Sequence, residues 1–218
     1  MAKHTFKLSD VTPDARIIAR SALGYDFNYY ADAETLLFGS TDETAFRMQN
    51  MSAGSGIFPT HAESYAANVT VAGDLIKTEI FIDLTGLNSS AAGDIIGKDG
   101  GTANCHIGQI TAALNGTIIG GSIACLETPA GGEPDIDVFS ATVGTGAEDT
   151  AVSDLSETKL FDAGQDFIAG LSANQFNFGG FTAVPAADEF LYLVGSGGGT
   201  DATYTAGKFL ITLYGKPA

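Results

Sequence analysis

Tryptophan is absent from this 218-residue chain, and cysteine, histidine and methionine are nearly so, at two, three and three residues. Two cysteines cannot form the disulfide framework of a small secreted domain. The histidines are His4, His61 and His106. None has a second His or Cys at a metal-ligand spacing except the neighbours Cys105 and His106, whose side chains point to opposite faces of a strand. His106 is therefore expected to be a hydrogen-bonded strand residue, and no cofactor is expected. Positive charge is also scarce, with 10 Lys and Arg against 26 Asp and Glu, a formal charge of −16. A surface this acidic repels phosphate, which argues against a nucleic-acid partner. No apolar run approaches the roughly 20 residues that a membrane helix needs. Residues 1–10 (MAKHTFKLSD) carry charge and lack the apolar segment of a signal peptide. Synthesis and folding in a cytoplasm, whatever the final location, with no membrane partner, are the expectation.

Catalytic signatures are missing too. Gly54-Ser55-Gly56 lacks the spacing of a nucleophile elbow. Gly207-Lys208 resembles the end of a phosphate loop, but Phe209 stands where Ser or Thr must bind the metal and Ala202 where the first Gly belongs. A strand with a glycine kink is expected there instead.

What the chain does contain is glycine, 28 residues of it, together with 14 Phe and 7 Tyr in a composition that is 44% hydrophobic. Glycine dispersed at turn-like sites with aromatic packing suits an all-β protein with many tight connections. In residues 77–84 (KTEIFIDL), Ile80 and Ile82 alternate with Glu79, Phe81 and Asp83. Similar short runs occupy 16–20, 25–30, 34–40, 44–48, 64–71, 135–141, 158–161, 167–171 and 176–184. Residues 162–169 are the best short helix. Residues 103–128 hold Asn115-Gly116 between two β-capable arms, the signature of a tight hairpin. Across that turn Cys105 and Cys125 miss facing each other by one residue, so free buried thiols are expected. Residues 189–194 (EFLYLV) and 203–214 are apolar on both faces and are expected to pair around the loop 195–202.

These runs predict an all-β fold, a β-sandwich of jelly-roll type spanning residues 61–218, preceded by an extended N-terminal arm or small β segment over 1–60. Sheets apolar on both faces need a second cover. Phe190, Tyr192, Phe209, Ile211 and Leu213 are accordingly the candidate interface residues. The only weak metal candidates are Asp135 and Asp137, two residues apart on one strand and about 7 Å from each other. Calcium could use such oxygens, but no EF-hand template fits, so a solvated face is expected.

Several tracts carry a resemblance: TEIFIDLTGL (78–87), AAGDIIG (91–97), CHIGQITAALNGTI (105–118), CLETPAGGEPDIDV (125–138), EDTA (148–151), PAADEFLYLV (185–194) and TYTAGKFLITLYG (203–215). Together they resemble a family of virion proteins of marine tailed phages. ADAETLLFGSTDETAFRMQN (31–50) resembles β segments recurring in phage structural and fibre proteins. The resemblance implies a repeated virion component without catalytic residues. The expected function is a non-enzymatic virion structural protein that decorates or cements the capsid of a bacteriophage. Its expected partners are the capsid shell and copies of itself, a trimer being favoured. The alternative is a tail or fibre component that binds a host surface glycan. A carbohydrate-active enzyme would need a positioned carboxylate pair.

Overall fold

The computed structural model describes residues 17–20, 26–30, 35–39, 46–57, 65–164, 166–168 and 177–217. Nearly all regular structure is β. The first six strands are β1 (Ile17–Arg20), β2 (Asp26–Tyr30), β3 (Thr35–Gly39), β4 (Phe46–Asn50), β5 (Tyr65–Ala72) and β6 (Leu75–Asp83). They form an antiparallel meander. β15 (Ala206–Lys216), β9 (Thr117–Ala130) and β12 (Asn177–Gly180) continue it into a nine-stranded sheet, in the order β1-β2-β3-β4-β5-β6-β15-β9-β12. A second sheet has the order β11 (Glu157–Phe161), β10 (Ile136–Ala141), β13 (Phe190–Gly195) and β8 (Gly108–Gln109). A small pair, β7 (Asn88–Ser89) with β14 (Ala202–Thr203), closes one end. Six consecutive hairpin neighbours are not the Greek-key winding that defines a jelly roll. The sandwich is therefore described by its two sheets.

Alternation makes the sandwich. On β6, Ile76, Thr78, Ile80 and Ile82 are buried, while Lys77, Glu79, Phe81 and Asp83 are only half-buried. On β15, Phe209, Ile211 and Leu213 point inward, and Leu210 and Tyr214 point out. The inward residues meet Val138, Leu191 and Leu193 of the smaller sheet in one core cluster. Phe167 bridges the layers, its ring 5.0 Å from Phe209 and 6.0 Å from Phe161. The β5–β6 connection is a two-residue turn, Gly73-Asp74, with Gly73 at φ +60°. Positive φ at the first central position is what glycine permits at no steric cost.

The four-stranded sheet is buried on both faces, each by the chain itself. One face of β10 and β13, with Val138, Leu191 and Leu193, meets the large sheet. The other carries Asp137, Phe139, Tyr192 and Phe190, and the loops around His106 and Gly146 cover it. This explains the doubly apolar pattern of residues 189–194 without a second subunit. It also corrects the expected pairing. β13 lies between β10 and β8, and β15 between β6 and β9, in different sheets.

The expected hairpin at Asn115-Gly116 does not form. Residues 112–115 make one helical turn, α1 (Ala112–Asn115), capped by Thr111, whose Oγ1 accepts from the Leu114 amide at 3.2 Å. Asn115 is fully buried; its Oδ1 accepts from the Thr111 amide and its Nδ2 donates to Thr78 Oγ1, both at 2.9 Å. Gly116 takes φ +66° where a Cβ would lie 2.2 Å from the Lys216 carbonyl oxygen. Asn-Gly serves here as a helix end that plugs the sheet, because positive φ is as useful in a helix cap as in a hairpin. The arm before it contributes only β8, which pairs with β13, while β9 runs for 14 residues against β15.

Neither the helix expected over 162–169 nor the strand over 167–171 appears at 162–164 or 166–168; the remaining positions lie outside the described residues. The boundary expected near residue 60 follows a stretch that the core contains. Met51 and Ile57 are buried in the same cluster. The Gly54 and Gly56 amides donate to the carbonyls of His106 and Asn104 at 2.9 and 3.1 Å.

Candidate functional site

Several acidic side chains hold loops in place, Glu133 beside the Gly195 end of β13 and Glu189 at its start. Glu133 is buried; its carboxylate accepts from the Gly199 amide at 3.1 Å and the Asp135 amide at 3.2 Å. Its own carbonyl accepts from the Tyr204 hydroxyl at 2.7 Å. Glu148, equally buried, accepts from the Gly101 amide at 3.0 Å and from Asn88 Nδ2 at 3.2 Å. Ser140 Oγ and the Ala186 amide donate to Glu189 at 2.6 and 2.9 Å. Each carboxylate ties segments far apart in sequence, and its hydrogen bonds offset the desolvation of the charge.

Asp135 and Asp137 part company. Asp137 is fully buried on β10. Its carboxylate pairs with Lys159 Nζ at 2.9 Å, accepts from the Ala163 amide at 2.8 Å and accepts from Ser196 Oγ. Lys159 also lies over the Phe139 ring, 5.4 Å from its centroid. The hydrogen bond to Asp137 is the main reason that the Lys159 ammonium is held above its ordinary value. The expectation of a solvated pair is thus corrected, because the strand that delivers Lys159 adjoins β10 in the sheet. Asp135 precedes the strand, half-buried, with Oδ1 buried and without a hydrogen-bond partner. Burial first, then the charges of Asp137 and Glu133, raise its carboxyl above the ordinary range. Among the described residues, no group of three or more His, Cys, Asp or Glu could hold a metal ion.

His106 lies in a loop rather than a strand. Its ring packs against Phe190 at 4.9 Å and Tyr192 at 6.5 Å, and its Nδ1 has no hydrogen-bond partner. Burial lowers its affinity for a proton. His4 and His61 lie outside the described residues. Both cysteines are free and buried, as the sequence predicts. Burial pushes each thiol up to about 11. Gly207 sits at φ +135° in an irregularity of the β15–β9 register, the expected glycine kink.

The sequence-predicted interface residues are internal. Tyr192, Phe209, Ile211 and Leu213 have no exposed surface, and Phe190 is half-buried. The chain's own second sheet and loops supply the cover assigned to a neighbour. Large apolar side chains do reach solvent on the outer face of the nine-stranded sheet, at Leu75 (44% exposed), Ile119 (59%) and Tyr214 (38%). Their sequence signal was weak, because Ile119 is an extra residue in a bulge opposite Tyr214 and Gly215. Beside them on that face run the ion pairs Lys77–Glu79 at 2.6 Å, Lys208–Glu127 at 2.5 Å and Lys208–Asp83 at 3.7 Å.

No helix among the described residues is long and apolar enough to cross a membrane. Comparison with protein-family models, curated proteins and solved structures finds no match to this chain.

Proposed function

We propose that the chain is a non-enzymatic structural protein of a tailed-phage virion that decorates or cements the capsid as a homo-oligomer, a trimer being the favoured closure. The supporting observation is the use made of its buried and half-buried carboxylates. Glu133, Asp137, Glu148 and Glu189 each accept hydrogen bonds from loop amides or hydroxyls. Acids held this way fix connections in place, which suits a rigid building block carrying an acidic coat. A glycosidase needs two carboxyls facing a shared space for sugar and water. The buried Asp137 is closed off from such a space by Lys159, Ser196 and the Ala163 amide. The sequence resemblance to phage virion proteins points the same way.

The test is association with particles. Purified full-length chain is mixed with capsids stripped of accessory proteins, and the mixture is sedimented. Saturable co-sedimentation at hundreds of copies per particle is the expected result. A few to tens of copies would move the protein to the tail. No co-sedimentation with either heads or tails would refute the virion reading.

A further inference from the structure

An Asp or Asn side chain can close a ring onto the backbone amide that follows it, and glycine, lacking Cβ, leaves that amide most open. Asp99 is the only aspartate of the chain followed by glycine, and Asn115 the only asparagine so placed. Ammonia leaves an asparagine more readily than water leaves an aspartate, so by sequence Asn115 would react first. The fold reverses that order.

Asn115 is locked. It is fully buried, its Oδ1 accepts from the Thr111 amide, and its Nδ2 donates to Thr78 Oγ1. The nitrogen that would attack it, the Gly116 amide, donates to the Ala112 carbonyl at 3.1 Å. Asp99 is the opposite case. It lies with Gly100 and Gly101 in an exposed turn. Among the described residues, neither the Asp99 carboxylate nor the Gly100 amide has a hydrogen-bond partner. A Cβ placed at Gly100 or Gly101 would meet nothing within 4 Å. The side chain is free to swing onto the next amide.

We propose that Asp99 is a site of spontaneous isomerisation to isoaspartate in the folded protein. The Gly100 nitrogen attacks Cγ of Asp99, and the amide proton leaves with the carboxyl OH as water, closing a succinimide ring. Water then adds to one of the two ring carbonyls and breaks its bond to nitrogen. Opening at the side-chain carbonyl restores aspartate. Opening at the main-chain carbonyl routes the backbone through Cβ and Cγ. Composition is unchanged, and no oxidant or other reactant enters.

The turn is anchored on both sides. The Lys98 amide donates to the Gly56 carbonyl at 2.7 Å, and the Gly101 amide donates to the Glu148 carboxylate at 3.0 Å. Isoaspartate inserts one more carbon between those anchors, about 1.5 Å of chain. Gly101 is carried off Glu148, a carboxylate only 3% exposed, which then keeps the Asn88 amide alone. A buried charge that loses a donor weakens the fold. The change therefore falls on the strap that ties residues 51–57 to the loop at 148.

The experiment keeps the full-length chain folded for weeks at physiological temperature, beside the same chain in denaturant. Electron-transfer fragmentation locates isoaspartate, and methylation by an isoaspartate methyltransferase counts it. The folded chain should gain isoaspartate at position 99 with Asn115 intact, and the denatured chain should deamidate Asn115 first. Asp99→Glu, whose longer side chain cannot close the five-membered ring, should take no methyl label. It should keep its circular dichroism, because position 99 is exposed. Aged wild type should show a second urea transition at lower concentration that aged Asp99→Glu lacks. A folded chain without isoaspartate at position 99 overturns the proposal. So does methyl label that persists in Asp99→Glu, or Asn115 deamidating ahead of Asp99 in the folded chain. A single unchanged urea transition in isomerised protein would overturn the effect assigned to the strap.

Discussion

Replacing Lys159 by Met isolates the one ion pair among the described residues that has a fully buried member. Met keeps the apolar stem that packs by Phe139 and removes only the charge. Asp137 would then sit at 0% exposure with two neutral donors, the Ala163 amide and the Ser196 hydroxyl. Breaking a buried pair by removing one partner costs about 3–5 kcal/mol. Lys159 is 42% exposed, so water already screens part of the attraction and the figure falls to about 2–3 kcal/mol. In a chain of this length that lowers Tm by roughly 5–10 °C. Lys159 is held above its ordinary 10.5, so its contribution is complete at pH 7 and is lost only as pH rises through its value in the fold. Urea denaturation of wild type, Lys159→Met, Asp137→Asn and the double variant at pH 7 gives the coupling directly. The double variant should be more stable than Lys159→Met alone, because no uncompensated charge remains. A loss under about 0.5 kcal/mol for Lys159→Met, the range of an ordinary surface change, would refute the buried-pair reasoning.

Three further outcomes are expected. Ile57→Ala should cost about 2–5 kcal/mol in urea denaturation, because Ile57 is 1% exposed in the shared core; a loss typical of a surface position would show that residues 51–57 are dispensable to the sandwich. Both thiols should resist Ellman's reagent at pH 8 in the native protein and react fully in denaturant, since burial raises each to about 11; rapid native reaction would contradict the packing of Cys105 and Cys125. Asp135→Asn should raise Tm at pH 7 and leave it unchanged near pH 3. The raised carboxyl makes ionisation weaken the fold as pH climbs from the ordinary 3.8 through the value in the fold, and below that range the group is protonated in both states. A lower Tm at pH 7 would mean that the ionised form is the one the fold uses.

Much of the strand content was legible in the sequence, because alternation is a local property. Ile80 and Ile82 declare the buried face of β6 without reference to any partner. Sheet membership was not legible, since strands apolar on both faces, such as β13, fit either layer equally well. Asn115-Gly116 misled for a related reason: the dipeptide reports positive φ, and a helix end meets that need as well as a hairpin does. The acidic end was half legible. Asp135 and Asp137 stood out by spacing, but the residue that separates their roles is Lys159, 22 positions after Asp137 and brought beside it only by the β10–β11 pairing. The outward positions of β15 were hidden behind their larger inward neighbours, which drew the interface assignment to Phe209, Ile211 and Leu213.

The place of β15 between β6 and β9 bears on how the nascent chain matures. Residues 206–216 are made 123 positions after Asp83, the last residue of β6. At about 5–20 residues per second, the ribosome leaves β6 without its neighbour for roughly 6–25 seconds. Over that interval β6 offers an unpaired edge, with β9 joining it partway through, and no local contact can substitute for the missing strand. Neighbouring nascent chains on one polysome would bring such edges together. The long separation between β6 and its partner therefore makes the last strand a checkpoint for aggregation, and a ribosome stalled before residue 206 would release a chain with two sticky edges and no keystone.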